Sequence, residues 1–121
     1  AGDLDTWLVL NIREDAAGRE AQALLDEEPA GRVAMELEPE ALRIAAYEIV
    51  PALRGQRYGA QLLGQAVQLA RARGRERVVL TCGRALAGYF AQFGFQETAR
   101  REDEADMALD IRLLIREIPE L

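Results

Sequence analysis

The 121-residue chain has no histidine, no lysine and a single cysteine, Cys82. One cysteine excludes an internal disulfide framework and suits a reducing compartment. Without histidine, a zinc site lacks its usual donors and a histidine-based nucleophilic triad cannot be assembled. No apolar run approaches the roughly 20 residues of a membrane span. Ala1-Gly2-Asp3 lacks the basic and then apolar character of a secretory leader. The expectation is a cytoplasmic protein with no membrane partner. Half the residues are hydrophobic and 30% are charged, as in ordinary soluble globular proteins. The length suits a single domain over residues 1–121.

All 15 cations are arginines. The missing lysine is read as a mark of GC-rich coding, with no functional weight. The net charge of −6 argues against general nucleic-acid binding, which needs a broad basic face. The charge is unevenly spread: residues 54–84 carry seven arginines against one acid, Glu76. A basic island in an acidic protein fits one polyanionic small ligand, although Arg71, Arg73, Arg75 and Arg77 also read simply as a solvated helix end.

Periodicity supplies the elements. Trp7–Ile12 predicts a strand, and Ala17–Glu28 a short helix with Ala21, Leu24 and Leu25 on one face. Arg32–Glu38 alternates as a half-buried strand. Glu38-Pro39-Glu40 turns the chain into a second strand over Ala41–Val50. Tyr58–Arg73 is a strong helix with Leu62, Leu63, Ala66, Val67, Leu69 and Ala70 in one stripe, capped at Gly74. Val78–Thr81 predicts a buried strand and Ala85–Phe93 a short helix ended by Gly94. Phe95–Glu102 and Asp106–Leu113 predict a closing hairpin. The order β-α-β-β-α-β-α-β-β is a mixed α/β layout. The helix at 58–73 should join two parallel neighbouring strands.

The segment Glu48 to Leu63 is the most informative. An apolar strand meets Pro51, passes a turn bearing Arg54, Gly55, Gln56 and Arg57, and opens into the helix at Tyr58, Gly59 and Ala60. A helix start presents unpaired N–H groups at the positive end of its dipole, which suits an anion. Gly55 and Gly59 allow close approach to the backbone, and the two guanidiniums keep their charge at any ordinary pH. A phosphorylated small molecule is the expected guest.

Together, residues 49 to 95 resemble the GNAT family of acyl-CoA-dependent N-acyltransferases. Ile49-Val50-Pro51 matches that family's strand end. Arg54 and Gly59 match the first and last positions of its glycine-bearing phosphate signature. Val79-Leu80-Thr81 followed by Tyr89-Phe90 and Gly94-Phe95 matches its second landmark. The resemblance implies a mixed sheet whose fourth and fifth strands splay apart, with a shortened N-terminal helical region. It implies acetyl-CoA or another acyl-CoA in the gap, its pyrophosphate on the backbone from Gln56 to Ala60. It also places the pantetheine arm along Ile49 and Val50, and Phe90 beside the cofactor. The implied reaction is direct attack of a small-molecule or protein amine on the thioester.

Three positions depart from the family pattern. Arg57 replaces a central glycine, Phe90 occupies the position of the usual tyrosine general acid, and Gly83 replaces a common asparagine. Tyr89, about 100° around the helix, or a water would then protonate the thiolate. Glu48 is the first candidate base, with Glu36 and Glu38 behind it; a plain rim carboxylate is the competing reading. Cys82 reads as a small core residue, since no histidine is present to activate it. A second function class fits the same features: a non-catalytic acyl-CoA-binding regulator that docks on a partner. A third is an unrelated α/β domain with a chance glycine turn. Leu113-Leu114-Ile115 and the closing hairpin are candidates for a homodimer edge.

Overall fold

Residues 9–15, 18–25, 28–50 and 58–112 are described by the computed structural model of the chain. Alternation builds its first half. Val33 and Met35 are buried while Arg32 and Glu36 are not, and the strand they define, β3, runs over Glu28–Leu37. Before it come β1 (Val9–Glu14) and β2 (Gly18–Leu25); after it comes β4 (Leu42–Ile49). The Glu38 N–H donates to the Ala41 carbonyl at 2.9 Å, closing the predicted turn between β3 and β4. Then follow α1 (Tyr58–Ala72), β5 (Arg77–Gly83), a 3₁₀ turn (Arg84–Leu86), α2 (Ala87–Ala91), β6 (Gln96–Arg100) and β7 (Glu104–Asp110).

Among the described residues the sheet has seven strands in the order β1-β2-β3-β4-β5-β7-β6. Neighbours are antiparallel except β4 and β5, which run parallel as the α1 crossover requires. The mixed α/β class therefore stands. The helix expected over Ala17–Glu28 does not form: most of that segment is β2, paired to β1 on one side and β3 on the other. Ala21 and Ala23 are buried while Gln22 is exposed, which is the period of a strand. The sequence carried that alternation in residues of high helix propensity, and pairing on both edges overrode the propensity.

One continuous core lies between the sheet and its helices. Leu62, Leu63, Ala66, Leu69 and Ala70 of α1 meet Ala21, Val33, Met35, Ile44 and Ile49, and the cluster continues through Val78, Leu80, Met107 and Leu109 to Phe90 and Phe95. Cross-strand pairs show that these strand residues share a face: Ala21 opposes Val33, Met35 opposes Ile44, and Leu80 opposes Met107. The opposite face is polar. Its rows include Gln22–Arg32–Glu48 and Thr81–Asp106. Arg32 bridges Glu20 at 2.8 Å and Glu48 at 3.1 Å, and Arg101 pairs with Asp106 at 2.8 Å. No helix among the described residues is long and apolar enough to cross a membrane.

Helix ends follow their sequence signals. Gly74 sits at φ +74°, and the Arg75 N–H reaches the Ala70 carbonyl at 2.7 Å, closing α1. Gly94 sits at φ +100° between α2 and buried Phe95. A Cβ there would also press on Leu109 at 3.1 Å. Gly94→Ala is therefore expected to cost about 1 kcal/mol or more, measurable as a lower thermal midpoint.

Candidate active site

The decisive geometry is where two parallel strands part. β4 and β5 pair only at Leu42–Val78 and Arg43–Val79. Just beyond, the register between β3 and β4 slips and leaves Ala45 without a β3 partner. Such a bulge bends its strand and increases local twist, so β4 stays with β3 and turns away from β5. The β4–β5 ladder ends there, and the two strands open as a V toward Ile49 on one arm and Gly83 on the other.

Val50 N–H donates to the Ala30 carbonyl of β3 at 2.9 Å. Successive amides of a strand point to opposite edges, so the Ile49 amide is directed to the V. Two depressions lie at the open ends of the arms. One, about 380 Å³, is lined by Gln22, Pro29, Gly31, Arg32, Glu48, Ile49 and Val50. The other, about 560 Å³, is bounded by Gly83, Arg84, Glu97, Arg100, Glu102 and Asp103.

On the helix side, aromatic rings bridge the arms. Tyr47 of β4 meets Phe90 of α2 edge-on at 5.4 Å and lies 6.0 Å from Tyr89. Phe90 is 4% exposed and also packs on Tyr89 and Phe95, while Phe93 holds the other side of Tyr89. The Tyr47 and Tyr89 hydroxyls are hydrogen-bonded to each other. Gly59, in the first turn of α1, is buried against both oxygens, and a Cβ there would collide with them. Gly59 thus answers a need of the tyrosine pair. Burial first, and the Tyr89 hydroxyl second, push the Tyr47 phenol above its ordinary value, so it stays protonated.

The other candidates are placed as follows. Glu48 lies on the open sheet face with its side chain 68% exposed, its carboxylate held by Arg32. Glu36 is exposed, and Glu38 accepts from Arg43 Nε at 2.6 Å. Cys82 is half-buried against the core. Its thiol is pushed up by burial, then by Glu97 and Asp106, which disfavours a nucleophilic thiolate. Tyr58 and Ala60 belong to the first turn of α1. Arg54, Gly55, Gln56 and Arg57 lie outside the described residues, as do Trp7 and Leu113–Ile115. Tyr47 and Arg32 were not legible as site residues from the motifs. The available signal was strand alternation, which puts Tyr47 on the same face as Ile49.

A family model described as the acetyltransferase (GNAT) family matches residues 2–95. The chain belongs to the GNAT acetyltransferase family.

Solved structures show the same fold. The PaiA N-acetyltransferase of Thermoplasma acidophilum, in complex with coenzyme A, aligns with a TM-score of 0.70 at 15% identity, over 75% of this chain and 59% of that one. This GNAT domain thus spans 59% of the length of the Thermoplasma enzyme. A GNAT acetyltransferase of Elizabethkingia anophelis, with acetyl-CoA bound, aligns at 0.71 and 13% identity over 85% of this chain and 97% of that one. The IAA acetyltransferase of Bacillus cereus aligns at 0.73 and 15% identity, covering 86% and 99%. No curated protein matches in sequence.

Proposed function

We propose that the chain is an acyl-CoA-dependent N-acetyltransferase that passes an acetyl group to a small-molecule or protein amine by direct attack. The observation that carries this reading is the V: β4 and β5 separate after two residue pairs. A strand edge opened in this way accepts an extended, amide-bearing arm as an added strand, and pantetheine is such an arm. The residues fit the cofactor. The Ile49 amide would face its thioester end, Val50 closes the strand, and Phe90 backs the wall behind the tyrosines. The segment Arg54-Gly55-Gln56-Arg57 and the helix start Tyr58-Gly59-Ala60 would take the pyrophosphate.

The bound acyl-CoA supplies an activated thioester. The chain's residues handle protons around it. Glu48, beside Arg32 at the mouth of the β4 depression, takes a proton from the attacking ammonium through water. Tyr89 donates a proton to the leaving sulfur. Glu48 and Glu97 are paired with Arg32 and Arg100, which leaves Glu102 and Asp103 beside Arg84 as the acids on offer to a cationic acceptor.

Thermal melts with acetyl-CoA test the binding claim. At a ligand concentration about 100 times the Kd, stabilisation of about 2.7 kcal/mol is expected. No upward shift at millimolar acetyl-CoA would sink the reading. Thiol release from acetyl-CoA, followed against spermidine, tyramine and a lysine-bearing peptide, tests catalysis. The second reading, an acyl-CoA-binding regulator, draws on buried Phe90 in the usual acid position and on Glu48 held by Arg32. It predicts the thermal shift with no thiol release.

A further inference from the structure

We infer that Tyr47 is a positioning residue that holds the Tyr89 hydroxyl across the V and supports it as it gives up its proton. This rests on the acetyltransferase reading of the same cleft and adds to it a residue from the opposite arm. The two tyrosines come from elements on either side of the strand divergence, β4 and α2, and their hydroxyls meet. Both rings are packed by neighbours. Phe90 packs edge-on against both, at 5.4 and 5.1 Å, and Phe93 braces Tyr89 at 5.3 Å. The missing side chain at Gly59 leaves room for the pair beneath α1.

The chemistry follows from counting protons. Each phenol carries one O–H and two acceptor lone pairs. Only one O–H can lie between the two oxygens. With Tyr47 donating, the Tyr89 proton is left free for another acceptor. When the sulfur leaves, the Tyr89 O–H bond breaks and an S–H bond forms, with the electron pair left on the Tyr89 oxygen. That oxygen continues to accept from Tyr47, and a hydrogen bond to a charged form favours that form. Tyr89 regains a proton through water from the one that the acceptor nitrogen loses on becoming an amide, so the net transfer is from nitrogen to sulfur. Tyr47 remains neutral throughout, as its burial requires.

Tyr47→Phe retains the ring packing and removes only the hydroxyl. In thiol-release assays with acetyl-CoA and the fastest amine of the panel, kcat is expected to fall about tenfold while the KM for acetyl-CoA moves by less than about twofold. Tyr89→Phe should lose about 100-fold, and the double variant no more than Tyr89→Phe alone. Independently of turnover, the ¹³Cζ resonance of Tyr89 in tyrosine-labelled protein should move in Tyr47→Phe, because its hydrogen-bond partner is gone. An unmoved resonance, a Tyr47→Phe enzyme at the wild-type rate, or losses that multiply in the double variant would each overturn the proposal while leaving the acetyltransferase reading intact. A wild-type chain that releases no thiol fails that reading and takes this proposal with it.

Discussion

Leu42→Ala is expected to lower stability by about 3 kcal/mol, within the range for buried leucine truncation. Leu42 is 0% exposed and sits in one of only two residue pairs that join β4 to β5. Its side chain contributes both core volume and the junction between the antiparallel β1–β4 unit and the β5–β7 unit. A cavity at this position is hard to refill, because β4 is held by β3 and cannot close onto β5 past Arg43. Domains of this size are stable by only about 5–15 kcal/mol, so the loss is a large fraction of the whole. Urea unfolding followed by circular dichroism reads it as a lower midpoint. Leu86, 52% exposed in the 3₁₀ turn, provides the contrast. Leu86→Ala should stay within about 0.5 kcal/mol of wild type. Equal losses at the two positions would contradict the assignment of Leu42 to the packed β4–β5 junction.

Gly59→Ala should damage function more than its size suggests. The added methyl would fall on the Tyr47 and Tyr89 hydroxyls, both braced by neighbouring rings. The expected outcome is displacement of the pair, a stability loss of about 1–3 kcal/mol from overpacking, and a fall in thiol release at least as large as that of Tyr47→Phe. Gly64 lies in the same helix, and a Cβ there would meet nothing within 4 Å. Gly64→Ala should therefore raise stability by about 0.5–1 kcal/mol, as glycine does when replaced in a helix interior. The two variants change the same chemical group in the same helix. Opposite signs in a thermal melt locate the effect at the tyrosines, and a stabilised, fully active Gly59→Ala protein would show that the hydroxyls do not occupy that space.

The parts of the fold readable in advance were those where pattern and propensity agree. The α1 stripe from Leu62 to Ala70 combines helical spacing with good helix formers, and β3 alternates Val33 and Met35 with charged residues. β2 failed because its residues, Arg19-Glu20-Ala21-Gln22-Ala23-Leu24, favour a helix while their burial alternates as a strand. Only pairing partners distant in sequence decide such a conflict. The cleft was legible through Ile49-Val50-Pro51 and the Tyr89-to-Phe95 landmark, both local features. Tyr47 was not, because its role depends on a hydroxyl contact with a residue 42 positions away and on the strand bulge that opens the V.

On the open sheet face, Arg13, Glu20, Arg32 and Glu48 form a connected chain of opposite charges. Every cation in it is a guanidinium, protonated to beyond about pH 12 and therefore without a lone pair to offer. A lysine at position 32 would carry the same charge, yet its neutral fraction is a primary amine, the kind of nucleophile that attacks thioesters. The whole chain contains no lysine. The surface beside the cleft thus offers no side-chain amine for an activated acyl group to modify.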